Sequence, residues 1–348
     1  MRSLPSRIIA FLCCAIAASA SAQDFPAKPV TLVIPFAAGG PTDVVARVLA
    51  QSMSKTLGQQ VIVENALGAG GTIAATKVAR ARPDGYTVFL HHNGMATSPS
   101  LYRKLEFNPM ADYEYIGLVA DVPMTLVSRK DFPANDFKEL LAYVKANKDK
   151  VTLGNAGLGA VSHLCGMMFM SAIGAELTTV PYKGTAPAMQ DLMGGQIDLL
   201  CDQTTQTIPP IKAERIKVYG VTSSARLATL PNVPTLAEQG LANFEVVVWH
   251  GFYAPKGTPK PVLDKLNAAL QAALKDPVVV AKFAELSAFP VPPDQATPEA
   301  LRVHLKKEID KYGPVIKKAG CSPTERTGRR PGAQRPSVSD GVRPTRKC

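Results

Sequence analysis

Nine residues near the start of the chain have the types and spacing expected of a small-molecule binding turn. The segment Pro35-Phe36-Ala37-Ala38-Gly39-Gly40-Pro41-Thr42-Asp43 separates an apolar run that predicts a strand from an amphipathic pattern that predicts a helix. Such a turn points free backbone N–H groups at a crevice, and glycine lets a ligand approach the backbone closely. No Lys follows, which excludes a phosphate-cradling nucleotide loop. The turn therefore predicts a docking site for a small anion such as a carboxylate, with an ordinary βα turn as the alternative.

A second turn of the same kind lies in the middle of the chain. Gly154-Asn155-Ala156-Gly157-Leu158-Gly159-Ala160 precedes a predicted helix that carries Ser162 and His163. Two such turns facing each other across a cleft strengthen the prediction of an anion site. Ser162 and His163 also raise the hypothesis of a secreted hydrolase. We disfavour it, because adjacent helical residues point roughly 100° apart, an activated Ser needs its base within hydrogen-bond reach, and the chain has no GxSxG elbow.

Alternating strands and helices must position these turns. Strands are expected at 30–34, 61–64, 86–90, 151–153, 177–180, 197–202 and 216–221. With helices between them, they predict parallel, doubly wound α/β sheets, in which a ligand crevice lies at the carboxyl ends of the strands. His91 and His92 lie at such an end. Adjacent residues point to opposite faces of a strand, so no metal site is expected there.

Two long extended runs, Tyr115–Ser128 and Phe244–Tyr253, connect the two α/β series. They predict two lobes joined by two hinge crossings, with lobe 1 formed by residues 23–120 and 249–320 and lobe 2 by residues 121–248. The only tryptophan, Trp249, lies in the second crossing. We expect its fluorescence to respond to lobe closure; a core tryptophan insensitive to closure is the alternative.

The two ends of the chain are set apart by composition. Arg2, Arg7, an apolar run and Ala20-Ser21-Ala22 predict a cleaved secretory signal peptide over residues 1–22. Residues 321–348 are rich in Pro, Gly and Arg and predict a disordered, aberrant and dispensable tail. The two ends carry seven of the eleven net positive charges. The basic charge is therefore an end effect, and no nucleic-acid partner is predicted.

Motifs spread over most of the chain resemble one protein family. They are Val33-Ile34-Pro35-Phe36-Ala37-Ala38-Gly39-Gly40 with Asp43, Glu64-Asn65 with Gly68-Ala69-Gly70-Gly71, Gly157-x-Gly159-x-x-Ser162-His163-Leu164, Val180-Pro181-Tyr182-Lys183-Gly184, Asp191-Leu192-x-Gly194-Gly195-Gln196-x-Asp198, and Ala254-Pro255-x-Gly257-Thr258-Pro259. With these motifs in this order, the chain resembles, from about residue 25 to 320, the Bug-type periplasmic solute receptors of tripartite tricarboxylate transporters. The tail departs from the family.

The resemblance implies a type II periplasmic-binding-protein fold that closes on a small carboxylate, held mainly by backbone amides and bridging waters. Position by position, it implies ligand-binding residues Phe36, Ala37, Gly40, Thr42 and Asp43 in lobe 1, and Gly157, Gly159, Ala160, Ser162, Thr185 and Asp202 in lobe 2. It also implies a periplasmic receptor, without cofactor, metal or catalytic residues, that delivers its ligand to inner-membrane permease subunits. We expect a monomer. A receptor of the same fold that feeds a sensor kinase remains the alternative.

The sequence leaves the roles of two polar side chains undecided, and it does not identify the ligand. Asp202 either receives an amine or hydroxyl of the ligand or caps local amides. Lys183 is expected to be a solvated turn residue rather than a ligand clamp. Amino acids, di- or tricarboxylates and aromatic acids all remain candidates, because backbone amides recognise the carboxylate and not what it is attached to.

Outside the two ends, the chain has two cysteines, Cys165 and Cys201. Cys165 lies early on the helix after the second turn, Cys201 lies near the end of a strand, and the periplasm is oxidising. We predict a disulfide between them, with two buried free thiols as the alternative.

Overall fold

The computed structural model describes residues 25–318. The predicted signal peptide and the predicted tail both lie outside the described residues. Within residues 25–318, no helix is both long enough and apolar enough to cross a membrane.

Lobe 1 is built on three parallel strands, with β1 between β2 and β3. β1 is largely buried, as is typical of parallel strands covered by helices, and this explains why four of its five residues are apolar. The elements in chain order are β1 (Val30–Ile34), α1 (Pro41–Leu57), β2 (Val61–Asn65), a 3₁₀ turn (Ala69–Gly71), α2 (Thr72–Ala79), β3 (Thr87–His92) and α3 (Gly94–Leu101).

Lobe 2 repeats the arrangement, with β5 between β6 and β7 and parallel to both. The helix α5 begins directly after the second glycine turn, and β7 ends in the predicted ligand residue Asp202 and its neighbour Gln203. The elements in chain order are α4 (Phe137–Ala146), β5 (Thr152–Asn155), α5 (Val161–Ile173), β6 (Thr178–Pro181), α6 (Thr185–Met193), β7 (Leu199–Gln203), α7 (Thr204–Lys212) and β8 (Ile216–Val221).

Two long strands join the lobes, as the sequence predicts. β4 (Tyr113–Arg129) and β9 (Val247–Pro255) are antiparallel to each other. The first part of β4 pairs with β9, and its last part pairs with β7 and β8. One continuous strand therefore belongs to both sheets. The fold is α/β and two-lobed, and the predicted lobe boundaries fall inside β4 and β9, where they stay predictions.

The chain ends in three helices that pack on lobe 1 and the crossings: α8 (Lys260–Lys275), α9 (Pro277–Glu285) and α10 (Pro298–Lys318). One face of α10 is apolar and buried, at Leu301, Leu305, Tyr312 and Ile316. The sequence interpretation missed three elements: the short strand β10 (Phe289–Pro290), α3 and α7. Both missed helices contain proline, which suppresses the helical signal, since α3 carries Pro99 and α7 carries Pro209 and Pro210.

Cys165 on α5 and Cys201 on β7 form a disulfide, with their Cα atoms 6.2 Å apart. The predicted pairing is confirmed. The bond ties the helix that follows the second glycine turn to the strand that ends at Asp202.

Trp249 lies on β9 opposite Asp121 of β4, within the crossing where it was expected. Its ring is buried, its Nε1–H donates a hydrogen bond to Glu308 Oε2 at 3.1 Å, and it meets the His304 ring edge-on. Both partners belong to α10. That its fluorescence responds to lobe closure stays a prediction.

Candidate functional site

An enclosed cavity lies where the two glycine turns meet. Its volume is about 20 Å³, slightly more than the roughly 10–15 Å³ that one water needs. The lining residues are Phe36, Pro41, Thr42, His92, Met124, Ala156, Ala160, Val161, Ser162, Thr185, Asp202 and Gln203.

The first turn is held in shape by the buried carboxylate of Asp43. It accepts hydrogen bonds from the Gly39 N–H at 2.9 Å, from Asn65 Nδ2 at 3.0 Å, and from Arg47 at 2.7 and 3.0 Å. Burial raises the pKa of Asp43, but these hydrogen bonds outweigh it and hold the pKa below its ordinary 3.8. Asn65 also donates to the Phe36 carbonyl at 2.8 Å. The carboxylate is fully engaged in bracing the turn and does not line the cavity.

The second turn is held by neutral groups. The Ser162 hydroxyl accepts a hydrogen bond from the Ala156 N–H at 2.8 Å, and Asn155 Oδ1 accepts one from the Gly157 N–H at 2.9 Å. Gly157 and Gly159 have φ of +102° and +84°, which a residue with a Cβ rarely adopts. Ser162 thus braces its own turn, and the adjacent His163 is buried, with burial lowering its pKa to about 4.

Four helices begin at the cavity without a side-chain cap: α1, α5, α6 and α7. Among the other helices, α4 and α9 are capped by the carboxylates of Asp136 and Asp276, whereas α2, α3 and α8 lack a side-chain cap as well. The first N–H groups of a helix lack intrahelical partners and carry the positive end of its dipole. None of the described residues lining the cavity is Lys or Arg. The groups of the cavity that can attract an anion are therefore helix ends and not cationic side chains.

Asp202 is the acidic group of the cavity wall. It is 1% exposed, and its Oδ2 has no hydrogen-bond partner among residues 25–318. Burial raises the pKa of Asp202 to about 7, although the Gln203 backbone N–H and the Thr185 hydroxyl offset part of the effect. Near neutral pH, this carboxyl can donate a hydrogen bond when protonated and accept one, or pair with a cation, when ionised.

Of the eleven residues predicted to bind ligand, the structure brings six into the cavity wall: Phe36, Thr42, Ala160, Ser162, Thr185 and Asp202. The other five lie close by in different roles. Gly40 is the residue before α1, Asp43 braces the first turn, and Gly157 borders an outer pocket. Ala37 and Gly159 make contacts between the lobes.

Six wall residues were not predicted: Pro41, His92, Met124, Ala156, Val161 and Gln203. Four of them are adjacent in sequence to a predicted residue: Pro41, Ala156, Val161 and Gln203. A prediction that includes the sequence neighbours of each predicted residue therefore finds them. Met124 requires the pairing of β4 with β7, which places it opposite Gln203. His92 was set aside with His91 because the two were expected on opposite faces of a strand. Their rings nevertheless lie 4.8 Å apart, since β3 ends there and α3 begins two residues later.

Direct contacts join the lobes beside the cavity. The Ala37 N–H donates to the Lys183 carbonyl at 3.2 Å, and the Thr97 hydroxyl donates to the Gly159 carbonyl at 2.7 Å. The Tyr102 hydroxyl lies 2.8 Å from the Ala69 carbonyl and 2.9 Å from the Leu158 carbonyl. The contact between Tyr102 and Ala69 lies within lobe 1, and the other three join the two lobes.

An outer pocket of about 550 Å³ lies at the surface end of the cleft. It is lined by Gly68, Ala69, Gly70, Tyr102, Gly157, Leu158, Pro181, Tyr182, Lys183 and Pro187. Lys183 is exposed here, and its side chain lies outside the enclosed cavity. Among residues 25–318, no group of three or more His, Cys, Asp or Glu side chains is arranged to hold a metal ion.

Comparison with known proteins identifies a protein family that matches this chain. The profile of the tripartite tricarboxylate transporter family receptor matches residues 45–321. A protein from Agrobacterium vitis, named for the TAR-I ttuE–ttuC′ intergenic region, is 53% identical over 302 residues, covering 86% of this chain and 87% of that protein.

Solved structures agree in fold as well as in sequence. The periplasmic binding protein BugD is 54% identical and superposes with a TM-score of 0.85, covering 86% of this chain and all of BugD. MatC from Rhodopseudomonas palustris, solved with bound malate, is 40% identical with a TM-score of 0.81, covering 84% of this chain and all of MatC.

Proposed function

Since this chain belongs to the tripartite tricarboxylate transporter receptor family, we propose that it captures a small organic carboxylate between its two lobes and delivers it to an inner-membrane permease. As a solute-binding receptor of the periplasmic-binding-protein type, it acts by binding and release. The expected place of action is the periplasm, reached through the predicted signal peptide.

One observation carries the carboxylate proposal: four uncapped helix N-termini converge on a cavity whose described wall contains no Lys or Arg. A helix N-terminus stabilises an anion by about 0.3–1 kcal/mol, and by up to about 2 kcal/mol in a partly buried site. Several such ends, each with free N–H donors, support binding of a carboxylate without a buried cation. The malate bound to MatC supports the same ligand class.

Delivery to a permease is proposed from the contacts between the lobes. The hydrogen bonds of Ala37, Thr97 and Tyr102 exist only when both lobes are in place. The closed protein therefore presents a surface, including the outer pocket, that the open protein lacks. A permease that recognises this composite surface distinguishes a loaded receptor from an empty one, because a ligand shifts closure only through its preference for the closed form.

Calorimetric titration and thermal unfolding with a panel of carboxylates test the binding proposal. The panel contains succinate, malate, aspartate, citrate and benzoate, with the dimethyl ester of succinate as an uncharged control. A ligand at 100 times its dissociation constant should stabilise the fold by about 2.7 kcal/mol. At least one carboxylate should bind and the ester should not. Equal binding of the ester, or no binding by any member, contradicts the proposal.

A gene deletion in the native host tests delivery. Uptake of the radiolabelled carboxylate identified by calorimetry should fall on deletion and return with the wild-type gene. Uptake that survives deletion contradicts the transport role while leaving the binding result intact.

A further inference from the structure

His92 lies in the cavity wall, and the binding residues implied by the resemblance do not include it. It is the last residue of β3 and is 3% exposed. Its ring stacks on that of Phe36, with centroids 4.7 Å apart and planes 17° apart. Phe36 belongs to the first turn, so this contact fixes the imidazole beside the backbone groups expected to meet the carboxylate.

The protonation of His92 follows from one hydrogen bond. The Gly94 backbone N–H donates to His92 Nδ1 at 3.0 Å. A nitrogen that accepts a hydrogen bond carries no proton, so in the neutral ring the proton is on Nε2. Burial, together with the nearby His91 and His250 rings, holds the pKa of His92 well below its ordinary 6.5. At neutral pH the side chain is therefore a neutral Nε2–H donor in a fixed orientation.

We infer that His92 binds the carboxylate of the ligand through Nε2–H, as the side-chain donor that lobe 1 adds to the backbone amides of the first turn. A neutral donor suits this cavity, because a buried cation would carry a desolvation cost that an uncharged imidazole avoids. Hydrogen bonds to charged groups are stronger than those between neutral groups. The inference rests on the proposed carboxylate-binding function.

His91 is the natural control. It is buried to the same degree at 2% exposed, is adjacent in sequence, and its Nδ1 has no hydrogen-bond partner among residues 25–318. Burial lowers its pKa to about 3. Its ring faces Gly71 and Gly94, however, and does not line the cavity. Loss of His91 therefore costs packing without removing a cavity donor.

The test compares three variants. In His92→Phe the ring and its stacking remain but the donor is lost; in His92→Gln an amide donor remains near the Nε2 position; His91→Phe is the matched control. Titration with succinate, malate and aspartate should show at least tenfold weaker binding for His92→Phe, with most of the affinity retained in His92→Gln and His91→Phe. Circular dichroism checks that each variant folds.

Nitrogen-15 spectra of histidine-labelled wild-type protein supply a readout that packing alone does not move. His92 should show the Nε2–H tautomer, and its Nε2–H signal should shift when the bound carboxylate is added. An Nδ1–H tautomer, an unmoved signal, or wild-type affinity in His92→Phe overturns the inference alone. A wild-type protein that binds no carboxylate overturns the proposed function as well.

Discussion

The two glycine turns that form the cavity have the same outline but are stabilised by different means. In lobe 1 the turn is held by the ionised Asp43, which bonds to Gly39, Arg47 and Asn65. In lobe 2 the turn is held by neutral hydrogen bonds within it, and its helix is tied to β7 by the Cys165–Cys201 disulfide. The first turn therefore depends on an ionised group with partners on α1 and β2, and the second depends on neutral bonds within the turn and on a disulfide behind its helix.

This difference determines what each lobe has left to offer a ligand. The acidic group of the first turn is fully hydrogen-bonded, whereas Asp202, the acidic group that lobe 2 places in the cavity wall, keeps its Oδ2 without a hydrogen-bond partner among residues 25–318. A buried polar group without a partner is costly, so a ligand group that bonds to Asp202 relieves a cost that Asp43 does not carry. We expect lobe 1 to recognise the carboxylate common to many ligands and lobe 2 to select among them.

The largest expected effect comes from removing the covalent support of lobe 2. The double variant Cys165→Ala, Cys201→Ala should lose about 4 kcal/mol in free energy of unfolding, because the bond closes a loop with a sequence separation of 36. Urea unfolding of mature wild-type and variant protein measures it. A loss below about 1 kcal/mol would show that lobe 2 does not depend on the disulfide.

The second effect concerns the buried carboxyl of lobe 2. The folded pKa of Asp202, about 7, exceeds its ordinary 3.8, so the folded state binds the proton more tightly. Its contribution to stability is fully present below pH 3.8 and is lost as pH rises through about 7. The difference corresponds to at most about 4 kcal/mol. Asp202→Asn should therefore gain stability relative to wild type as pH rises from 4 to 8.

The test compares the free energies of unfolding of wild type and Asp202→Asn at each pH, because the pH dependence of the wild type alone also contains contributions from other groups. Burial lowers the pKa of His163 and of His250 to about 4, so their contributions are lost as pH falls below 6.5 and mask the opposite trend. A difference that is independent of pH would mean that Asp202 is ionised in the folded protein throughout this range.

The third effect compares the two turns directly. Asp43→Ala should lose about 2 kcal/mol of stability, because it leaves the Gly39 N–H and Asn65 without their acceptor. Arg47 is half-exposed, so the ion pair itself adds little. Ser162→Ala removes one neutral hydrogen bond from the second turn and should lose about 1 kcal/mol. Equal losses in chemical unfolding would remove the distinction between the turns.

The smallest expected effect on stability tests the contact between the lobes. Gly70 and Gly58 have similar φ, +59° and +67°, so alanine at either costs about 1 kcal/mol. A Cβ at Gly70 overlaps the Leu158 carbonyl of lobe 2, whereas one at Gly58 meets nothing within 4 Å. Gly70→Ala should therefore bind ligand at least tenfold more weakly, and Gly58→Ala should bind normally. Equal calorimetric affinities would show that closure does not need this contact.

Sequence patterns predicted those features that depend on neighbouring residues. The apolar run before Pro35 and the glycines after it gave the first strand, turn and helix, and the extended runs gave both crossings. Cys165 and Cys201 were paired because they are the two cysteines outside the ends of the chain and the periplasm is oxidising.

Sequence patterns did not predict features that depend on contacts between residues far apart in the sequence or on an unpredicted element. The bracing role of Asp43 requires Asn65, which reaches it only because β1 and β2 are in register. The family motif includes Asp43 but does not distinguish a bracing group from a ligand-binding one. His92 was missed because its tautomer depends on the Gly94 N–H, which accompanies the unpredicted helix α3.

The return of the chain through β9 sets an order for folding. Lobe 2 strands β5 to β8 come from one uninterrupted stretch, so they can assemble as soon as that stretch is available. Lobe 1 cannot complete its sheet until β9 arrives, because Phe89 of β3 pairs with Tyr253. Closure of such long loops is slow. During synthesis and export, β3 therefore keeps an unpaired edge while lobe 2 forms, and an unpaired strand edge is a template for pairing with other chains. Lobe 1, whose binding turn depends on Asn65 of the neighbouring strand β2, is thus the lobe more exposed to misassembly before the native fold is reached.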